Sequence, residues 1–297
     1  MEHIILGIDI GGTSIKAGVL VSGHLQDIRS MPTPALESQE VILEALATFI
    51  ESYLPYSFEG IGIGIPGLVN PKEGVVLGLA NIPSFQHVEL RKFLTIRFGK
   101  PVFINNDANC FALAETHLGA VLDVHPGAEI VFGVIMGTGV GGGLVAHGKV
   151  VKGVHGIGGE WGHNILEEDG DPCYCGKAGC VEKVIAGPSL ELFYERQTGE
   201  KKKLKDIVQA YIAGSDLNAT ATMERLFEYY GKAISTIINV IDPDVIVIGG
   251  GVGNIDLLYS EGYERIKKYI FNSGEVLTPI VKPKLGDSAG VFGAAML

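Results

Sequence analysis

The sequence predicts an α/β protein of two lobes, and three observations lead to that prediction. Apolar runs typical of buried strands alternate with stretches of helical spacing along the chain. The chain has 297 residues, about twice the length of a common domain of roughly 150 residues. Glycine clusters follow apolar runs in both halves, so a similar strand–turn unit recurs.

The first lobe is predicted to span residues 1–115. Apolar runs at 4–10 and 15–20 flank a glycine turn and therefore predict a β-hairpin. The remaining elements predicted for this lobe are a helix at 41–54, strands at 60–65 and 102–105, and a helix at 111–118.

The second lobe is predicted to span residues 116–285. A strand at 129–136 runs into the glycine-rich stretch 137–143, so the order of strand, Gly-Thr turn and strand repeats and indicates an internal duplication. The further predicted elements are a hairpin of 144–146 with 149–150, helices within 187–240, a strand at 245–248 and a helix at 258–271. The tail at 286–297 is predicted to form a helix that packs back onto the first lobe.

Charge and hydropathy exclude several classes of partner. The net charge is -11 and no basic stripe is present, which argues against nucleic acid or an anionic membrane. No run of 18 apolar residues occurs, so no spanning helix is predicted. The opening Met-Glu-His lacks the basic head of a signal peptide, and we therefore expect a cytoplasmic protein.

Three glycine segments are candidates for nucleotide contacts. Backbone N–H groups of tight glycine turns face anions well, so the phosphate candidates are Asp9, Gly11, Gly12, Thr13, Gly137, Thr138 and Gly139, with Asp9 acting through Mg²⁺ or water. The segment Gly249, Gly250 and Gly251 follows a buried strand, where a flat base could lie on the backbone. The alternative for the first two segments is a hairpin turn with glycine at positive φ. The alternative for the third segment is an ordinary strand-to-helix connection.

Asn105, Asn106 and Asp107 stand where a predicted strand ends and a helix begins. A carboxylate there can accept the proton of an attacking hydroxyl during phosphoryl transfer. The alternative interpretation is that Asp107 only caps the helix.

A cluster of thiols and an imidazole predicts a metal site. His163, Cys173, Cys175 and Cys180 supply the four ligands of a closed tetrahedral Zn²⁺ site, which would be structural. Such an ion would fix a loop bearing Glu160, His163 and Glu182, whose side chains could hold sugar hydroxyls. The alternative is three buried free thiols and an unrelated histidine, and the remaining cysteine, Cys110, is predicted to be core.

Taken in order, these motifs resemble the ROK family of bacterial sugar kinases, repressors and uncharacterised open reading frames. The resemblance rests on residues 9–13, Asn106-Asp107, 137–143, Glu160-x-Gly-His163 and the Cys-x-Cys-Gly-x-x-Gly-Cys-x-Glu stretch that ends at Glu182. It covers essentially the whole chain. The cysteine stretch is its most specific part and the Asp-x-Gly-Gly-Thr turn its least specific.

The resemblance implies an actin-like, hexokinase-like ATPase fold, with a duplicated ribonuclease H-like motif and two lobes that close over sugar and MgATP. It implies Asp107 as base, zinc at the four ligands above, and a homodimer. His163 would serve both the zinc and the sugar. The implied sugar ligands are Gly67, Asn106, Asp107, Glu160, His163 and Glu182, and Lys16 joins the three glycine segments in binding ATP and Mg²⁺.

The resulting prediction is an ATP-dependent hexose kinase acting on a 6-hydroxyl, of the fructose, glucose or mannose type. The tail at 286–290 resembles fructokinase and manno(fructo)kinase members, whereas 106–112 also resembles N-acetylglucosamine kinases, which is the alternative. A non-catalytic sugar sensor or regulator is opposed by the intact Asp107 and by the expectation that no DNA-binding segment precedes residue 4. A zinc-stabilised scaffold is opposed by the three glycine segments.

Overall fold

The computed structural model describes residues 4–79 and 82–297, so the opening Met-Glu-His lies outside the described residues. The strands are β1 (Ile5–Ile10), β2 (Ser14–Val21), β3 (His24–Pro32), β4 (Gly60–Ile65), β5 (Gly67–Val69), β6 (Val76–Leu79), β7 (Val102–Asn106), β8 (Ile130–Met136), β9 (Val140–Ala146), β10 (Lys149–Val150), β11 (Val245–Gly249) and β12 (Ile280–Val281).

Helices separate and cover these strands. The α-helices are α1 (Gln39–Glu51), α2 (Leu90–Phe98), α3 (Asp107–His117), α4 (Ala120–Val124), α5 (Val181–Ile185), α6 (Gly187–Thr198), α7 (Leu204–Ile212), α8 (Leu217–Ile241), α9 (Gly250–Gly253), α10 (Glu261–Ile266) and α11 (Ala289–Ala294). Short 3-10 turns occur at Leu54–Tyr56, Trp161–His163, Asp256–Tyr259 and Gly286–Ser288. Among the described residues, no helix combines the length and the hydropathy that crossing a bilayer requires.

Contacts divide the chain into two compact units. The first comprises Met1–Asp123, Gly143–Gly159 and Lys284–Leu297, and the second comprises Val124–Gly142 and Glu160–Pro283. The return of 143–159 to the first unit was not predicted from the sequence. The predicted lobes, with their boundary between 115 and 116, stay a prediction.

The sheet of the first unit has the order β3-β2-β1-β4-β7. β1 pairs antiparallel with β2 and parallel with β4, so the predicted hairpin around the first glycine turn is confirmed. Every residue of β4 is buried, which is typical of a central parallel strand covered on both faces. Helix α1 covers the sheet with Ile42, Leu46 and Ile50, which are spaced for one helical face.

Backbone contacts without intervening side chains join α11 to β1, β4 and α3. A Cβ at Gly7 would lie 2.3 Å from the Val291 carbonyl oxygen, and one at Gly293 would lie 1.8 Å from that of Cys110. A Cβ at Gly62 would lie 1.7 Å from the Ala294 carbonyl oxygen. No side chain fits in these gaps, so glycine is required at all three positions.

A buried carboxylate fixes the segment that leads into α11. Glu115 on α3 is fully buried. Its carboxylate accepts the backbone N–H groups of Ala120 at 2.8 Å, Lys284 at 3.0 Å and Leu285 at 2.9 Å. Several N–H donors compensate the charge of a buried carboxylate, so this group ties α3 to the C-terminal segment.

The second sheet has the order β10-β9-β8-β11-β12, and β9 begins in the second unit and ends in the first. β11 pairs parallel with β8 and β12, and β9 pairs antiparallel with β10. The order of strands matches that of the first sheet, which confirms the predicted internal duplication. Within the second unit, the indole N–H of Trp161 donates to the Ala233 carbonyl oxygen on α8 at 3.0 Å.

Several predicted elements have other bounds in the structure: the helix predicted at 41–54 spans Gln39–Glu51, and the helix predicted at 111–118 begins at Asp107. Two further differences have a physical reason. β9 starts at Val140, so 141–143 are strand residues rather than turn, and Gly143 lies against the Ala108 backbone. The helix predicted at 258–271 ends at Ile266 as α10. The Asn239 side chain explains this end, because it binds the Tyr269 carbonyl oxygen and the Phe271 N–H and so replaces a further helical turn.

We expect Gly62→Ala to destabilise the first unit, because the added methyl group overlaps the Ala294 carbonyl group. Overpacking of this kind costs about 1–3 kcal/mol or more of unfolding free energy. Gly78→Ala is the matched control, since its Cβ would meet nothing within 4 Å. Urea denaturation measures both variants, and equal midpoints for the two would contradict the contact.

Candidate active site

The first glycine turn joins β1 to β2 and follows Asp9, which pairs across the hairpin with Lys16. Burial raises the pKa of Asp9 above its ordinary value, and Lys16 opposes that effect. The carboxylate packs against the start of α11, because a Cβ at Gly290 would lie 2.5 Å from Asp9 Oδ2. The sequence predicts no role for Gly290, whose missing side chain makes room for Asp9.

The turn itself is closed by hydrogen bonds of its backbone. Gly11 N–H donates to the Ser14 carbonyl oxygen at 2.9 Å, and the Thr33 hydroxyl donates to the Gly11 carbonyl oxygen at 2.6 Å. This segment is a hairpin turn, but neither Gly11 nor Gly12 has a positive φ, so the alternative that glycine is needed here for positive φ is wrong. Close packing explains Gly11, since a Cβ there would lie 2.9 Å from the Ser14 oxygen, whereas Thr13 is exposed.

Asp107 is the first residue of α3, and the residue that caps the helix is Asn106. Asn106 Oδ1 accepts the Ala108 N–H at 2.8 Å, and Asp107 Oδ1 accepts the same N–H at 2.8 Å. The alternative in which Asp107 serves as the cap is therefore wrong. The candidate base stands beside the cap at the end of β7.

Asn106 also contacts Gly67, which the sequence analysis placed in the same substrate set. Asn106 Nδ2 donates to the Gly67 carbonyl oxygen at 3.3 Å. Beneath this contact, Asn105 is buried and its Oδ1 accepts the Asn106 N–H and the Asn109 side-chain amide. The three asparagines thus hold the strand end, and Asn109 was missed because its position within a helix suggested no polar role.

The second glycine turn lies between β8 and β9, next to the third glycine segment. Gly137 N–H donates to the Gly139 carbonyl oxygen at 2.9 Å. A Cβ at Gly137 would lie 3.6 Å from the Gly251 nitrogen, so the two segments adjoin within the second unit. Gly250 has a φ of +84°, and a Cβ there would lie 2.2 Å from the Met136 carbonyl oxygen. Thr138 is exposed beside them.

Glu160, His163 and Glu182 form a second cluster within the same unit. Burial raises the pKa of Glu160 above its ordinary value, Glu182 raises it further, and His163 lowers it. The Trp161–His163 turn is held close to β9, because a Cβ at Gly162 would lie 1.9 Å from the Val140 carbonyl oxygen. The structure therefore brings together three predicted sugar ligands that are separated in sequence.

The four predicted zinc ligands also converge. The ligand atoms of His163, Cys173, Cys175 and Cys180 all lie within 4.8 Å of one another. Cys173 Sγ is 3.5 Å from His163 Nδ1, and the sulfurs of Cys175 and Cys180 are 3.5 Å apart. Ligands around a tetrahedral Zn²⁺ are about 3.5–3.8 Å apart, given Zn–S and Zn–N bonds of about 2.3 and 2.0 Å. The donor set therefore fits a tetrahedral zinc ion.

His163 uses its other ring nitrogen in a contact that the sequence analysis missed. His163 Nε2 lies 3.0 Å from the Tyr174 hydroxyl, and the two rings meet edge to face with centroids 5.1 Å apart. A hydrogen bond to the second nitrogen orients a histidine ligand. Cys-Tyr-Cys spacing could have indicated this partner, because it puts one aromatic residue between two ligands.

Two arginine–carboxylate pairs attach the cysteine loop, residues 163–180, to helices α8 and α6. Arg225 on α8 binds both oxygens of Glu167 at 2.9 and 2.7 Å, and hydrogen bonding to Arg225 lowers the pKa of Glu167. Arg196 on α6 binds both oxygens of Asp171 at 2.8 Å. Gly179 completes the packing, because its φ is +65° and a Cβ would lie 1.7 Å from the Glu167 carbonyl oxygen.

Comparison with known proteins identifies the family. The profile described as the ROK family matches residues 5–297. The chain belongs to the ROK family. An N-acetyl-D-glucosamine kinase of Vibrio atlanticus (strain LGP32) is 39% identical over 305 residues, which cover 98% of each chain.

Solved structures of ROK proteins match over the same extent. A ROK hexokinase of Thermus thermophilus has a TM-score of 0.89 at 35% identity and covers 99% of this chain and 97% of its own. A ROK glucokinase of Streptomyces griseus, in complex with glucose and AMPPNP, has a TM-score of 0.80 at 28% identity, with 99% and 98% covered.

These comparisons confirm the predicted ROK membership, the actin-like α/β fold and the activity of an ATP-dependent sugar kinase. They favour the alternative sugar over the main prediction, because curated relatives at 36–39% identity over 98% of the chain are N-acetyl-D-glucosamine kinases. The roles of individual residues stay predictions.

Proposed function

We propose that this ROK protein is an ATP-dependent kinase that transfers the γ-phosphate to the 6-hydroxyl of N-acetyl-D-glucosamine. The proposal rests on the similarity to N-acetyl-D-glucosamine kinases at 34–39% identity over 98% of the chain. The second candidate is glucose, which is supported by the similarity to the glucokinase of Streptomyces griseus, in complex with glucose and AMPPNP, at 28% identity.

Asp107 is the proposed base. A sugar hydroxyl is a weak nucleophile until its proton leaves, and a positioned carboxylate can accept that proton as the phosphoryl group is transferred. Asn106 supports this assignment, since it is the residue that caps α3 and Asp107 is therefore not needed as the cap. The proton passes from the sugar oxygen to Asp107 while that oxygen bonds to the γ-phosphorus and the bond from the γ-phosphorus to the ADP oxygen breaks, which releases ADP.

The other site residues are proposed to bind and orient. Gly67, Asn106, Glu160 and Glu182 would hold the sugar through hydrogen bonds, in which carboxylates accept from hydroxyl groups. His163 would contact the sugar through Nε2 only by exchanging the Tyr174 hydroxyl for a sugar hydroxyl. The nucleotide is assigned to Asp9, Gly11, Gly12, Thr13, Lys16, Gly137, Thr138, Gly139, Gly249, Gly250 and Gly251. Mg²⁺ bound near Asp9 would offset the charge of the phosphates.

Zinc is proposed as a structural ion held by His163, Cys173, Cys175 and Cys180. Burial raises the pKa of the Cys180 thiol to about 12 in the ion-free protein, and the neighbouring thiols of Cys175 and Cys173 add to this effect. Zn²⁺ binds the thiolate form of cysteine, so three thiols and an imidazole whose ligand atoms lie within 4.8 Å of one another support a bound metal. Four protein ligands leave no open position for chemistry.

A panel of sugars tests the proposed substrate. We expect the highest kcat/KM for N-acetylglucosamine among that sugar, N-acetylmannosamine, glucose, mannose and fructose, measured by coupled ADP release. NMR of the product should show phosphate on the 6-oxygen. A higher value for glucose would transfer the assignment to the second candidate, and no turnover with any sugar would favour a non-catalytic sensor.

We expect Asp107→Asn to lower kcat by at least ~10²-fold, because the substitution removes the base. The cap at Asn106 is untouched, so folding and sugar affinity should be retained. Asp206→Asn, in the first turn of α7, is the matched control and should keep wild-type turnover. Saturating ATP and sugar isolate kcat, and calorimetric titration gives the sugar affinity. Wild-type turnover in Asp107→Asn would exclude the proposed base.

We expect Cys175→Ser to lose zinc and to raise the KM for sugar, because the loop that orders His163 and Glu182 loses a ligand. The wild type should contain about one zinc per chain, as a closed four-ligand site requires, measured by elemental analysis. Cys110→Ala is the control, since Cys110 lies outside the cluster and should keep the metal. Absence of zinc from the purified wild type would refute the assignment.

A further inference from the structure

Glu182 contacts the second glycine turn directly. Its Oε2 accepts the Val140 N–H at 3.1 Å, and a Cβ at Gly139 would lie 2.7 Å from the same oxygen. Glu182 follows Cys180 by two residues and is fixed further by the Ser189 hydroxyl, which donates to its backbone carbonyl at 2.9 Å. One carboxylate therefore belongs to both the proposed sugar cluster and the edge of the phosphate turn.

This contact uses one of the backbone donors that the turn offers. Gly137 N–H is engaged by the Gly139 carbonyl oxygen, and Val140 N–H is engaged by Glu182. Within residues 4–79 and 82–297, no hydrogen bond engages the N–H groups of Thr138 and Gly139. Two donors of the turn are thus open to a phosphate, and a third is available only when Glu182 moves.

The negative charge of Glu182 also weakens phosphate binding at the glycine turn. A carboxylate at hydrogen-bond distance from a phosphate-binding backbone repels the incoming phosphate. Sugar hydroxyl groups are donors that carboxylates accept well, so a bound sugar competes with Val140 for the same oxygen. Sugar binding would then both release an amide and draw negative charge away from the turn.

We propose that Glu182 is a positioning residue that couples sugar binding to nucleotide binding through the Val140 amide. The inference rests on the proposed function, because it takes 137–139 as the phosphate turn and Glu182 as a sugar ligand. In the sugar-free enzyme the Glu182 carboxylate accepts the Val140 N–H and keeps it from a phosphate. In the sugar complex the carboxylate accepts hydrogen bonds from the sugar hydroxyl groups instead. Sugar therefore tightens nucleotide binding, and by linkage nucleotide tightens sugar binding by the same factor.

The test measures the affinity of Mg²⁺-AMPPNP by calorimetric titration, with and without saturating N-acetylglucosamine. In the wild type, sugar should strengthen nucleotide binding by on the order of 10-fold, within the 5–150-fold range of site-to-site coupling. In Glu182→Gln without sugar, nucleotide affinity should rise by a similar factor, because the neutral amide does not repel the phosphates and, as a weaker acceptor than a carboxylate, releases the Val140 N–H more readily. A residue that only contacts sugar, or only supports the fold, would not raise this sugar-free affinity.

Glu160→Gln is the matched control. Glu160 carries the other carboxylate of the cluster, yet within the described residues no hydrogen bond joins it to the glycine turn. This variant should bind sugar less tightly and leave the sugar-free affinity for AMPPNP at the wild-type value. An equal rise in both variants would overturn the role of the Val140 contact and attribute the effect to the net charge of the cluster.

Two results would overturn the proposal. One is a wild-type AMPPNP affinity that does not respond to sugar, which needs no variant and so does not depend on the folding of Glu182→Gln. The other is an unchanged or weaker sugar-free affinity in Glu182→Gln, with its fold checked by circular dichroism. Failure of the proposed function is seen separately, as a wild type that does not phosphorylate N-acetylglucosamine.

Discussion

The direct backbone contact between α11 and the first sheet is the constraint on which the first unit depends. Three glycines make that contact possible, because any Cβ at Gly7, Gly62 or Gly293 would overlap a carbonyl group. The same approach brings Gly290 against the Asp9 carboxylate and packs α11 on α3, whose first residue is Asp107. The packing of α11 therefore helps to position both Asp9 and Asp107, the carboxylates proposed for Mg²⁺ binding and for proton transfer.

The second unit is organised by a different kind of contact. Its cysteine loop is short of apolar side chains, and it is held by four converging ligands and by the pairs of Arg225 with Glu167 and Arg196 with Asp171. Bidentate pairs of this type fix orientation as well as distance. A loop ordered in this way can present Glu160, His163 and Glu182 without burying them in a core.

The sequence was informative where chemistry is local. The hairpin around Asp9, the buried strand β11 and the convergence of three cysteines with His163 follow from spacing alone, and the structure agrees. It was uninformative where distant backbones meet. Nothing in the sequence near Gly290 indicates that it faces Asp9, and the end of α10 is set by Asn239, about thirty residues earlier in the chain.

The start of α3 shows a second limit on what can be predicted from the sequence. Asn and Asp are both good caps, so the sequence Asn106-Asp107 allows either one to cap α3. Only the backbone angles and the hydrogen bonds decide for Asn106. The choice of sugar is a similar case, because motifs shared by a whole family do not distinguish its members, whereas similarity along the full chain favours one of the two predicted sugars.

The hydrogen bonds of Glu115 depend on side-chain identity at position 115 but not at positions 284 and 285. Its carboxylate binds main-chain N–H groups at Lys284 and Leu285, so nineteen of the twenty amino acids could supply the same donors. The Lys284 side chain adds only an exposed pair with Asp123, worth about 0–1 kcal/mol. Of the substitutions at 284 and 285, only proline removes these donors, whereas Glu115 itself has no substitute of equal length and charge.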